Sequence, residues 1–173
     1  ACLATARCRR CRGHLDSRLG VATPADDKNI TKLFPHNEDV DKINSIELGK
    51  IIAETKTFYM QAKGSRNLVD ALKRGCLSPE QLDLKHGAVV MFTKNNFDEG
   101  FANGTLGVVE GFDEENGQPL IRTRNGKLIN VEPTVWAVSD GAQELASIKQ
   151  LPLRLAWAMT VHKSQGMSLD AAF

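Results

Sequence analysis

The chain has little cysteine, no excess of either charge and no long apolar run, and each shortage removes a class of protein. Four cysteines stand among 173 residues (Cys2, Cys8, Cys11 and Cys76). They are too few and too bunched for a secreted disulfide scaffold, so the expected setting is a reducing cytoplasm. Lys and Arg number 22 against 21 Asp and Glu, a formal net charge of +1. No global field therefore marks a binder of nucleic acid or membrane, and any basic site has to be local. No uncharged apolar stretch approaches the ~20 residues a membrane helix needs. Arg7, Arg9, Arg10 and Arg12 are not followed by the apolar run of a signal peptide. There is no internal repeat and no low-complexity tract. What is present is globular: 42% hydrophobic and 25% charged residues, in the length of one ordinary domain.

Residues 2–12 have helix-forming composition, with Gly13 as a stop, and residues 13–29 read as a loop. Asn29–Phe34 is a short apolar strand ended by Pro35. A helix follows. Asn37 is a good N-cap, Glu38 and Asp39 suit its first turn, and Val40, Ile43, Leu48, Ile51 and Ile52 recur near helical spacing. Thr55–Gln61 reads as a strand, and Ser65–Arg74 as a second helix closed by Gly75. Beyond Leu84 the pattern shortens. Six β-like runs follow: Ala88–Thr93, Thr105–Phe112, Gln118–Arg124, Lys127–Glu132, Thr134–Val138 and Glu144–Lys149. Asn103-Gly104, Asn116-Gly117 and Asn125-Gly126 punctuate them. The last is the clearest hairpin signal, because Asn-Gly suits the positive φ of a tight turn. Short strands at such spacing predict a small barrel or sandwich set into an α/β chain. From Leu155 to Gly166 the expectation is a turn into a helix.

The densest chemistry lies in Pro152–Asp170. Thr160-Val161-His162-Lys163-Ser164-Gln165-Gly166 puts two hydroxyls, an imidazole, an ammonium and an amide within one short segment. On a first helical turn such groups and the free backbone N–H donors grip a phosphate. A plain solvated helix stopped by Gly166 is the competing reading. Arg154 adds charge nearby.

The string TVHKSQGMSLD, led in by LPLRLAWA, resembles motif V of the RecD/Pif-type superfamily 1 DNA helicases. Two other stretches agree in order. Thr31–Asn44 resembles the entry to these helicases' second RecA-like domain, and Leu82–Val109 the start of the SH3-like barrel inserted in it. The resemblance spans about residues 15–173. It implies a fold that is α/β: a partial RecA-like domain, residues 1–84 and 151–173, carrying a small SH3-like β-barrel over 85–150. It implies an ATP-driven motor on single-stranded DNA, either a helicase or the helicase subunit of an exodeoxyribonuclease complex. Contact with DNA phosphates passes to Thr160, His162, Lys163 and Ser164, and more weakly to Asn37, for which a plain N-cap is the alternative. Gln165 and Gly166 are placed nearer the ATP cleft. ATP and Mg²⁺ belong to the full-length protein. The implied partners are single-stranded DNA, an N-terminal RecA-like domain of the same chain and, in the nuclease reading, a nuclease.

The departures are as informative. No G-x-x-x-x-G-K-[ST] string occurs, so nothing here cradles nucleotide phosphates, and the chain is not expected to hydrolyse ATP alone. Asp113-Glu114-Glu115 lies in a polar turn beside Asn116-Gly117, not at the end of an apolar strand where a Walker B acid sits. The family's motif VI is expected beyond Phe173. The first residue, Ala1, and the strand-like last residues 169–173 read as a cut piece of a longer protein. Cys8-x-x-Cys11, with Cys2 and His14 near, lacks the second knuckle of a structural zinc site, and no metal is expected. A thioredoxin-like reading lacks its βαβ setting. Cys76, Trp136 and Trp157 read as core residues, and the arginines of residues 7–18 as a local basic patch. The rival class is a non-enzymatic binding module built on the small barrel.

Overall fold

The computed structural model describes residues 31–34, 37–141 and 143–160. The expectations placed on residues 2–29 and 161–166, including Cys2, Cys8, Cys11, His14 and the N-terminal arginines, lie outside them. The described chain runs β1 (Lys32–Phe34), α1 (Asn37–Lys50), β2 (Lys56–Tyr59), β3 (Gln61–Gly64), α2 (Arg66–Gly75) and β4 (Gln81–Leu84). It continues with β5 (Val89–Phe92), β6 (Leu106–Phe112), β7 (Pro119–Thr123), β8 (Leu128–Asn130), β9 (Thr134–Asp140), β10 (Gln143–Gln150), β11 (Leu153–Leu155) and β12 (Ala158–Thr160).

These strands form four sheets, ordered β11-β5-β6-β7-β8, β3-β10-β9, β2-β4 and β1-β12. The first three are antiparallel and β1-β12 is parallel. All six β-like runs are strands, but they do not close into a barrel. The five-stranded sheet ends in β8 and β11, each only three residues long. The β9–β10 hairpin leaves it and pairs with β3 instead. The reason is burial. Ala146 and Ile148 of β10 bury their apolar side chains against Val69 of α2, which fixes that hairpin beside the helix and away from β5.

Period-2 alternation sets the two faces of the five-stranded sheet. Val90, Phe92, Val109, Ile121, Ile129 and Leu153 point to one core, closed by Leu82 and Leu84 of β4 and Leu48 of α1. Within it Phe92 and Phe101 stack with ring centroids 4.1 Å apart. Val89, Met91 and Leu106 point the other way and pack with Ala156 and Met159, so this face meets the β1-β12 pair.

Two local readings are corrected. α1 ends at Lys50, and Ile52, expected on its buried face, is fully exposed. The single strand expected over Thr55–Gln61 is two strands in different sheets, broken at Met60. The hairpin expected at Asn125-Gly126 is present and joins β7 to β8. Thr123 N–H donates to the Lys127 carbonyl at 2.9 Å across Arg124-Asn125-Gly126, and of these three only Gly126 has positive φ, at 85°. That is the three-residue hairpin loop in which glycine takes the left-handed position.

Candidate nucleic-acid interface

The expected turn into a helix at Leu155 is, up to Thr160, the end of β11, a two-residue link and the strand β12. β12 lies parallel to β1 in the register Lys32↔Ala158, Leu33↔Met159 and Phe34↔Thr160. Parallel strands present their C-terminal ends at one edge, where open α/β sheets bind ligands. Phe34 and Thr160 lie side by side at this edge. From Phe34 the chain passes in three residues to Asn37, the first residue of α1. From Thr160 it passes in two and three residues to His162 and Lys163.

Side chains fasten β12 in place. Thr31 Oγ1 donates to the Ala156 carbonyl at 2.8 Å, and Lys32 N–H donates to the Trp157 carbonyl at 2.9 Å. Asn44 of α1, only 5% exposed, grips both backbone groups of Ala158. Its Nδ2 donates to the carbonyl at 3.0 Å, and its Oδ1 accepts the N–H at 3.0 Å. One amide thus supplies the hydrogen bonds that a neighbouring strand would give to that residue. The sequence reading did not single out Asn44. Its signal was a polar residue at helical spacing between the buried Val40 and Leu48.

The structure brings Asn37 and Thr160 to one edge but does not expose Thr160, which is buried at 3%. The side chain of Asn37 and residues His162, Lys163, Ser164, Gln165 and Gly166 lie outside the described residues. Arg154 is also buried, 8% exposed, and so is not the surface charge the sequence suggested. Burial pulls its guanidinium below the ordinary arginine value, and the Asp41 carboxylate opposes that pull.

The remaining singled-out residues behave as structural groups. Trp157 packs against both faces' cores, and Trp136 packs beside Ile148 with Lys94 Nζ 5.0 Å over its ring. Cys76 is half-buried beside α2, and burial pushes its thiol up. Asp113 Oδ1 accepts N–H bonds from Glu115 and Asn116 at 2.9 and 3.1 Å, the self-capping of an acid in a tight turn. No group of three or more His, Cys, Asp or Glu able to hold a metal occurs among the described residues.

Comparison with known proteins now defines the class. Residues 67–112 match the family model for the DNA helicase Pif1, 2B domain. An ATP-dependent DNA helicase Pif1 from Psychrobacter sp. is 36% identical across 84% of this chain and 30% of its own length. The human ATP-dependent DNA helicase PIF1 is 39% identical across 81% of this chain and 22% of its own. Unliganded Pif1 from Bacteroides sp. superposes with a TM-score of 0.71 at 31% identity, over 83% of this chain and 45% of that one. A Bacteroides Pif1 bound to single-stranded DNA gives 0.65 at 30% identity, over 91% and 37%. The fold is therefore the RecA-like α/β type of the superfamily 1 helicases. Within that superfamily the chain is homologous over most of its length to the Pif1 helicases and fits their C-terminal part. It spans about 30% of the length of the Psychrobacter relative. Pif1 is a different branch from RecD, so the RecD side of the resemblance, and with it the exodeoxyribonuclease subunit, has no support in these relatives.

Proposed function

We propose that the chain is the C-terminal portion of an ATP-dependent DNA helicase, and that its own task is to hold single-stranded DNA by the backbone. The observation that carries this reading is the Phe34↔Thr160 register, which sets Thr160, the residue before Val161–Gly166 in the sequence, beside the strand that leads into α1 in a Pif1-homologous chain. The Bacteroides relative bound to single-stranded DNA supports the choice of ligand. The first turn of α1 carries backbone N–H groups with no intrahelical acceptor, and these favour an anion. His162, Lys163 and Ser164 add an imidazole, a cation and a hydroxyl for phosphate oxygens, while buried Thr160 fixes the strand end from which they leave. Glu38 and Asp39 oppose a phosphate at α1, so Asn37 is the weaker contact.

Gln165 and Gly166 are proposed to lie toward the nucleotide. The chain has no P-loop, so its residues do not fit the phosphates of ATP by themselves. In this reading ATP and Mg²⁺ are held by an N-terminal RecA-like domain of the same parent protein, which is also the principal partner of this chain. Residues 1–84 and 151–173 would belong to the RecA-like domain and 85–150 to the inserted β unit. The cysteine usage supports a reducing, cytoplasmic setting.

The test is ATP turnover by the parent protein with and without single-stranded DNA. The expected result is DNA-stimulated turnover that Lys163→Ala uncouples, together with no turnover by the present chain alone. A parent protein whose turnover ignores DNA would instead favour the binding-module reading.

A further inference from the structure

Phe97 is 78% exposed, yet the loop that carries it is pinned. Asn96 and Phe101 exchange backbone hydrogen bonds at 2.9 and 3.0 Å, and Gly100 N–H donates to the Phe97 carbonyl at 3.1 Å. Asn96 Oδ1 accepts from Glu99 N–H, and Asn95 Oδ1 from Asn103 N–H. Lys127 Nζ, from the β7–β8 hairpin, donates to the Glu99 carbonyl. Phe101 is anchored in the core by its stack on Phe92. A single exposed apolar side chain is ordinary on a protein surface. This ring differs because the pinned loop holds it against a cavity.

Phe97, Ala102, Thr105, Arg124 and Asn125 line that cavity, of about 370 Å³, at the end of the five-stranded sheet. A second cavity, of about 210 Å³, lies on the sheet face that carries Val89, Leu106 and Val108, which form its floor. Thr123 and Arg124 line both. The hairpin loop Arg124-Asn125-Gly126 thus sets Arg124 at the corner where the two meet. No carboxylate lines the larger cavity. In the smaller one Glu110 is bound by Arg122 through two nitrogens, so these two charges cancel and the lining sums to a single positive charge.

We propose that this corner takes one step of single-stranded DNA. One base lies against Phe97 in the larger cavity, the phosphate at Arg124, and the neighbouring base on the floor of Val89, Leu106 and Val108. A phenyl face stacks on any base and a guanidinium takes any phosphate, so the corner holds the strand without reading it. It shares no residue with the β1-β12 edge and works through bases as well as phosphate. The choice of strand rests on the DNA reading above.

The experiment compares two labelled strands of equal length at low salt by fluorescence anisotropy: oligo(dT), and an abasic oligomer that keeps the phosphates and lacks the bases. Phe97→Ala is expected to weaken oligo(dT) binding roughly tenfold and to leave the abasic strand within about twofold. Because Phe97 is exposed, the change leaves the core intact. Phe97→Trp, which keeps an aromatic face, is expected to bind oligo(dT) at least as tightly as the parent chain. Arg124→Ala is expected to weaken both strands and lower the salt slope by about one. In Phe97→Ala, equal loss on the two strands or no loss on oligo(dT) overturns the proposal and leaves the ring to a protein partner. Lys163→Ala is expected to weaken both strands alike, through a phosphate. A base-dependent loss at Phe97 with an indifferent Lys163 therefore removes the edge reading and keeps this one, and the converse removes only this one.

Discussion

Asn44→Leu tests how β12 is held at the edge from which the HKSQG segment departs. Leucine keeps the same branched side-chain skeleton, with methyl groups in place of the amide oxygen and nitrogen, but makes neither bond. The Ala158 N–H and carbonyl, both paired with Asn44 at 3.0 Å, then lose their partners in the interior. Each buried backbone group left unsatisfied costs about 1–3 kcal/mol. Two such groups, offset by the gain of burying an apolar side chain, leave a net loss of about 2–4 kcal/mol. For a chain of this length that lowers the melting temperature by roughly 5–15 °C. Thermal unfolding followed by circular dichroism, with urea unfolding beside it, reads both quantities. Asn44→Asp is the control: it keeps the acceptor for the N–H but sets a carboxylate oxygen against the Ala158 carbonyl, so it should be no more stable than Asn44→Leu. A loss below about 0.5 kcal/mol for Asn44→Leu, the scale of an ordinary surface change, would refute the claim that this amide substitutes for a neighbouring strand.

Gly64→Ala is expected to break the β3–β10 pairing. Gly64 has φ of 108°, and a Cβ there would collide with the Leu145 carbonyl oxygen and the Ala146 backbone, so loss of amide protection across β3 and β10 with the β5–β7 amides unaffected is the outcome to look for. Glu110 on β6 is held below the usual carboxylate range by the Arg122 guanidinium, which binds it through two nitrogens. A depressed carboxyl stabilises the fold above its unfolded pKa and loses that contribution as pH falls through the folded value. Glu110→Gln should therefore be less stable than the parent chain above about pH 5, with the gap closing as pH drops below about 4 in a series of urea midpoints.

The parts of this fold that were legible in the sequence are those whose signals are local. The six short runs after Leu84 carry β-branched or apolar residues between turn dipeptides, and each is a strand. Arg66–Gly75 shows its apolar face through Leu68, Val69 and Leu72, all packed toward β10. What was not legible depends on partners far along the chain. Whether β9 and β10 close on β5 or turn to β3 is settled by the burial of Ala146 and Ile148 under Val69. Ala158–Thr160 has little strand signature of its own and becomes a strand because β1 lies beside it and Asn44 closes its other side. Arg154 read as surface charge because composition cannot show that a β-strand places alternate residues on a covered face. The candidate site was proposed from a string, HKSQG, whose residues lie outside the described ones, whereas the sheet edge at Phe34 and Thr160 emerged from a register linking residues more than 120 positions apart.

The most direct test of the account is single-stranded DNA binding by the chain, followed by fluorescence anisotropy of a labelled oligonucleotide across a salt series. Few phosphates are engaged by this part alone, so the dissociation constant should be on the order of 10⁻⁴ M or weaker near physiological salt and should weaken as salt rises. Lys163→Ala should weaken binding about equally for all sequences and lower the salt slope by about one, since a phosphate contact carries no base information. Equal affinity and equal salt slope in Lys163→Ala and the parent chain would contradict the account, and the Thr160–Gly166 segment would then be no more than a polar stretch beyond β12.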